Sequence, residues 1–374
     1  MNRRDFLKAA GLIPLGVTGC QYLPVEGFYN PCHQNQLPKH LREHDLVLES
    51  WQGIDTSQVW DVHTHLIGIG DSQPGLWVNP RMKSIFILIQ YIQYKFYMDG
   101  SCINQSGSSS QDQAYVERLL QLHKDMPAGF RFVLIAFDYY HNDRGEINKE
   151  LSPFYTANEY AHQLVNKYPD QFEWIASIHP YREDGIDELK MAKKNKARAI
   201  KWLPGAMGIN PASPLCDQFY DALVEHDMPL LTHAGKEYAV DVPAERRYEN
   251  PLLFRRALER GVRIIFAHCA TLGKSADLDK GSKGKMVSNL DLFGRLMDES
   301  QYKHQVYGDI AAITQTNRDK EDIEKIVSRD DWHERLLYGS DYPLPGVMPV
   351  YSPANYVRWG HLPENEAGLL SEIR

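Results

Sequence analysis

The sequence predicts an α/β fold: a (β/α)8 TIM barrel with a helical segment inserted after its first strand. Two observations predict it. Eight short apolar runs of strand length alternate with amphipathic runs of helix length, the pattern of parallel strands joined by helical crossovers. Several of the apolar runs also end, on their C-terminal side, in a polar residue: Lys201 in "AIKWLPG", His233 in "PLLTHAG", His268 in "IIFAHCA" and Asp341 in "LLYGSDYP". A closed barrel gathers its strand C-termini onto one face. A doubly wound open sheet is the alternative, but eight strands and the positions of these polar residues favour closure.

The elements follow in order. Strand candidates are 59–66, 131–139, 172–180, 197–204, 228–235, 263–270, 305–312 and 335–343, each short and apolar enough to be buried on both faces. Amphipathic runs at 156–168, 186–196, 216–227, 251–260, 289–299 and 320–328 follow the second to seventh strands. A helix-like run starting near Glu364 is short for an eighth barrel helix. The alternation breaks at 67–130, where two helical patterns, 81–98 and 111–125, flank the polar loop "DGSCINQSGSSSQD". An insertion after the first strand sits over the barrel mouth. Its aromatic stripe of Phe86, Tyr91, Tyr94, Phe96 and Tyr97 suits a lid, a partner surface or core, and core is the commonest fate of such a stripe.

With 374 residues, 43% of them hydrophobic, the chain can bury a large core. A net charge of -8 argues against nucleic acid as a partner, and no apolar run reaches the ~18 residues of a membrane-spanning helix. Residues 1–20, "MNRRDFLKAAGLIPLGVTGC", place Arg3-Arg4 and Phe6-Leu7-Lys8 before a short apolar stretch that ends at Cys20. They resemble a twin-arginine lipoprotein signal, in which Cys20 becomes the acylated first residue. The resemblance implies a periplasm-facing lipoprotein that meets the membrane only through its lipid. Gln21, which is not aspartate, leans toward the outer membrane. Residues 21–57, with Pro24, Pro31 and Pro38, read as a tether and N-terminal wrap, and 58–374 as the barrel. The spacings of Cys32, Cys102, Cys216 and Cys269 match no zinc finger. A Cys32–Cys102 bridge is conceivable but is not an expectation.

The chemistry centres on "VWDVHTHLIG", residues 59–68. His63 and His65 are two apart on a strand, so both imidazoles share a face and form half of a divalent-metal site. A lone HxH pair is equally at home in a core. A buried lysine, two more histidines and an aspartate at separate strand ends, however, are costly as structure and are explained by convergence on an ion. The ordered set resembles the metal-dependent amidohydrolase superfamily, in its amidohydrolase-related branch, from about residue 59 to 343. That branch holds hydrolases, lactonases and non-oxidative decarboxylases. The resemblance implies His63, His65 and His233 as metal ligands and Asp341 as ligand or general base. His268 would polarise the substrate or bind a second metal. It leaves Lys201 three roles: a carbamylated bridge between two ions, a group that binds a substrate anion, or a lysine just outside the barrel end. One ion is expected, two if Lys201 is carbamylated. Zinc is the expected metal, although His/Asp sites also accept iron, manganese or nickel.

Other polar residues carry weaker signals. Asp138 and His179 close the second and third strands and would face the mouth or cap turns. Arg246 and Arg247 would suit a substrate carboxylate, but read more readily as a solvated pair. Glu237 reads as a general acid or, slightly more readily, a loop charge, and Cys269 as core. The expected activity is hydrolysis of an amide, ester or lactone of a small molecule. Decarboxylation of an aromatic or unsaturated acid, or an inactive binding lipoprotein, are the alternatives. The substrate and the oligomeric state are not in the sequence.

Overall fold

A computed structural model describes residues 30–32, 36–72, 74–103, 108, 110–240 and 246–373. The signal-like segment with Cys20 lies outside the described residues. Eight parallel strands form one sheet: β1 (Trp60–His65), β2 (Arg131–Ile135), β3 (Phe172–Ser177), β4 (Ile200–Trp202), β5 (Leu230–Thr232), β6 (Ile264–Phe266), β7 (Val306–Asp309) and β8 (Leu336–Leu337), in that spatial order. Each falls inside one of the eight apolar runs. The sheet closes on itself where the chain after β8 meets β1. Val62 donates to the carbonyl of Tyr338 (3.0 Å), Asp341 to that of His63 (2.8 Å) and His65 to that of Tyr342 (3.0 Å). The result is a barrel, not an open sheet.

The core has two shells, set by the two-residue period of each strand. Phe132, Leu134, Trp174, Ile200, Trp202, Leu230, Ile264 and Phe266 belong to the large outer cluster under the helices. Their alternates Val133, Ile135, Ile175, Ala199, Leu231 and Ala267 form a second cluster, joined by Trp60, Val62 and Ile265. That inner cluster fills the barrel, as bulky residues do in this architecture. Continuing the same alternation one step along β4 and past β5 places Lys201 above Ala199 and His233 above Leu231.

Among the described residues no helix is long and apolar enough to cross a membrane. The segment after β1 carries α1 (Leu88–Gly100) and α2 (Gln111–His123). Ser110 caps α2 by accepting from the Gln113 amide. The Asp112 side chain accepts from the backbone of Ile69 (2.6 Å) and Gly70 (3.2 Å), which ties the exit of β1 to α2. α1 is tied to the loop after β5: Gln93 Nε2 donates to the Tyr238 carbonyl at 2.6 Å, and the Tyr97 hydroxyl to that of Ala239. Cys32 and Cys102 form a disulfide that fastens the N-terminal wrap just beyond α1, a bridge the spacing alone did not support. The aromatic stripe is not core throughout. Phe86 is 92% exposed, whereas Tyr94 and Tyr97 face the cavity at the barrel mouth.

Candidate metal centre

β1 presents its two histidines through an irregularity. Asp61 pairs with Phe132 and Thr64 with Leu134, so β1 carries one extra residue between them. Such a bulge switches the parity of the strand and re-aims the side chains beyond it. Trp60 and Val62 therefore pack in the inner cluster, while His63 and His65, of opposite parity, still line the cavity above it. Asp61 holds the bulge: its carboxylate accepts from the His63 amide (3.1 Å), from the Ser340 amide (2.9 Å) and from the Ser340 hydroxyl. Burial pushes the pKa of this carboxyl up.

Opposite β1, His268 and Asp341 follow β6 and β8 in the left-handed backbone region, with φ of 57° and 61°. Non-glycine residues rarely adopt it, and such strain gathers at functional sites. Asp309, at the end of β7, stabilises the turn at His268. Its Oδ1 accepts from the His268 amide (2.8 Å) and the Ala311 amide (3.1 Å), and its Oδ2 lies 2.9 Å from His63 Nδ1. Cys269, also at positive φ, is buried in the outer cluster. It is core as expected, but because the chain turns there and not through strand alternation.

The donor atoms converge. His65 Nε2 is 3.1 Å from Asp341 Oδ1, and His63 Nε2 is 3.7 Å from the same oxygen. Lys201 Nζ is 3.2 Å from His63 Nε2, and His268 Nε2 is 4.0 Å from Asp341 Oδ2. The rings of His63 and His268 stack at 4.9 Å, and those of His233 and His268 meet edge-on at 5.5 Å. Ligand atoms held about 2.0–2.2 Å from one ion are spaced by much the same amounts. His63, His65 and Asp341 meet that requirement as a set; His63, His268 and Asp309 also gather, but through the hydrogen-bonded Nδ1 sides of the two rings.

Electrostatics prepares these groups. Burial holds the pKa values of His63, His233 and His268 well below the usual histidine value, so the rings are neutral near pH 7. His268 Nδ1 lies 2.9 Å from the Ala311 carbonyl, which can only accept. Nδ1 therefore carries the proton and Nε2 offers its lone pair to the cavity. His63 is oriented in the same way by Asp309, a carboxylate–histidine pair of the kind that supports metal ligands. Burial lowers Lys201 to about 8 and raises Asp309 to about 6.

Not every polar residue singled out from the sequence reaches this site. Lys201, His233, His268 and Asp341 line the cavity with His63 and His65. Glu237, read as a loop charge, does so too: it is buried, with Oε2 3.3 Å from His233 Nε2. His179 is fully buried and spends Nε2 on the Met207 carbonyl at 2.8 Å, away from the cavity. Asp138 accepts from the His179 amide and pairs with Arg182, both at 2.9 Å. Both residues fasten loops. Arg247 is exposed and reaches the Tyr248 hydroxyl at 3.0 Å. The side chain of Arg246 lies outside the described residues. Sequence reasoning missed Asp309 and Arg318. Asp309 ends the strand "VYGD" as a lone carboxylate behind an apolar run, the signal that revealed Asp341. Arg318 has no such signal.

The cavity spans about 1090 Å³ with its open mouth included, and beyond these polar groups its walls include Ile67, Ile69, Val78, Met82, Met98, Phe154, Leu203, Leu272 and Leu344. The chain is similar over 84% of its length, at 13% identity and a TM-score of 0.50, to 99% of an uncharacterized TIM-barrel protein from Bordetella bronchiseptica. It is also similar to 5-carboxyvanillate decarboxylase from Sphingomonas paucimobilis (9% identity, 84% of this chain and 96% of that one, TM-score 0.44). A third similar structure is 4-oxalomesaconate hydratase from Rhodopseudomonas palustris (14% identity, 84% and 93%, TM-score 0.43). No curated protein matches the sequence. The first likeness shows the barrel fold, and the amidohydrolase family model matches residues 60–359, so the chain belongs to the amidohydrolase family.

Proposed function

We propose that the protein is a metal-dependent hydrolase that cleaves an amide, ester or lactone bond of a small molecule in the cavity above β1. The observation that supports this best is the convergence of His63, His65 and Asp341 donor atoms beside neutral His233 and neutral, oriented His268. His63, His65, His233 and Asp341 would hold a divalent ion, zinc in the first instance. Lys201 would join them as a second-ion bridge if carbamylated. The ion supplies Lewis acidity, which polarises a substrate oxygen and makes water more acidic. Asp341, within reach of His65 and His63, accepts the proton of the attacking water. His268 Nε2, which offers a lone pair, would bind an ion, or would polarise a substrate oxygen only after taking up a proton there. The apolar walls exclude bulk water and strengthen both interactions.

Export through a twin-arginine signal and lipidation at Cys20 belong to the same proposal. A Cys32–Cys102 disulfide agrees with an oxidising compartment outside the cytoplasm.

The first experiment measures metal per chain by mass spectrometry, beside a His63→Ala/His65→Ala double variant. About one ion lost in the variant supports a single-ion site, and about two support the Lys201 bridge. No ion in the parent protein, even after reconstitution with zinc or manganese, sinks the proposal and leaves a binding lipoprotein. In a substrate screen, release of carbon dioxide in place of hydrolysis moves the reaction to decarboxylation.

A further inference from the structure

Eight buried side-chain atoms lack a hydrogen-bond partner among the described residues, and two of them, Arg318 Nε and Gln315 Nε2, belong to residues that line the cavity. Both sit on the loop after β7, where the Arg318 amide donates to the Gln315 carbonyl at 2.9 Å. That turn brings the two side chains to one wall. Arg318 is 6% exposed and Gln315 4%. The guanidinium spends Nη1 on the Thr271 carbonyl at 2.6 Å, which fixes its plane and leaves the Nε edge free. Asp341 and Glu237 act on it through space, but no ion pair to it forms among the described residues. A buried cation with an open donor edge is costly unless an acceptor arrives.

We propose that Arg318 and Gln315 form a carboxylate subsite, and that the substrate is an apolar small molecule carrying a carboxylate. The proposal rests on the cavity's being the substrate site. The Nε edge of a guanidinium matches the two oxygens of a carboxylate, and the Gln315 amide, which also faces Tyr351, offers a donor from the same turn. The apolar part of the lining, with Ile67, Met98, Leu272 and Leu344, fits a hydrocarbon body.

The test uses the full chain, stripped of metal with a chelator so that no carboxylate is held by an ion. Calorimetry compares benzoate, hexanoate and adipate with benzamide, hexanamide and adipamide. At least one acid is expected to bind about tenfold tighter than its amide, the worth of a charge-assisted hydrogen bond. Arg318→Met should erase that preference, and Gln315→Leu should weaken it severalfold. Should the Met variant fail to fold, Arg318→Lys keeps the charge without the fork and should also lose most of the preference. Binding of none of the acids, or a preference unchanged in the arginine variants, overturns the subsite. Metal content is read separately on the untreated protein. A chain that binds no metal but keeps an Arg318-dependent preference loses the catalytic reading and retains the subsite. A chain that binds metal but shows no preference does the reverse.

Discussion

Asp309 and Lys201 show what single buried charges do here. Asp309 touches the backbone of His268 and the ring of His63 at once, so it fixes two of the groups that face the cavity. Asp309→Asn keeps the volume but weakens both acceptors. Zinc affinity, measured against a chelating dye, should fall about 10- to 100-fold, as for other groups that orient metal ligands. Lys201 works against stability in metal-free protein. Burial lowers its pKa from 10.5 to about 8. Below pH 8 it is charged in both states, and the folded state carries a cost of roughly 3 kcal/mol. Between 8 and 10.5 the unfolded chain binds the proton more tightly, so this cost shrinks as pH rises and is gone above 10.5. Metal-stripped Lys201→Met should therefore melt several degrees above the parent at pH 7, with the gap closing by pH 10. A gap that stays constant or widens with pH rules out this account.

Elements position these residues by close approach. The chain after β8 runs against β1, and a Cβ built on Gly339 would stand 2.8 Å from His63 Cβ and 3.1 Å from Ala311 Cβ. Glycine is needed in "YGSDYP" because the seam that closes the barrel also carries Asp341. Gly339→Ala should push His63 out of register, cost about 1–3 kcal/mol as overpacking, and lower the bound metal measured by mass spectrometry. The bulge in β1 is the complementary device: one extra residue lets the strand fill the barrel with Trp60 and Val62 and still aim His63 and His65 at the cavity.

At the scale of the whole molecule, the N-terminal wrap and the insertion are joined by a covalent bond across 70 residues of sequence. Closing a loop of that length stabilises a domain by about 2–4 kcal/mol. Cys32→Ser should lower the unfolding free energy by about that amount in denaturant titrations while leaving metal content unchanged. A concurrent loss of metal would show that the wrap also braces the cavity through α1, whose Tyr97 and Met98 line it.

Local pattern determined a large part of this protein. Short unbroken apolar runs marked all eight strands, because a strand buried on both faces needs such a stretch. Polar residues at the ends of those runs, His63, His65, Lys201, His233, His268 and Asp341, marked the cavity, because a charge or imidazole behind a buried strand is too costly to be incidental. What the tertiary structure alone decided was which of several similar polar residues is buried. Arg247 and Arg318 are the same side chain on the loops after β5 and β7, one exposed and one buried in the cavity. Glu237 reads as a loop charge until β5 sets it beside His233, and Phe86 and Tyr97 share a stripe but face solvent and cavity. The Cys32–Cys102 pair is equally illegible in the sequence. Burial and long-range pairing are properties of the packed chain, fixed by neighbours tens to hundreds of residues away. Period and composition report only what lies within a few residues.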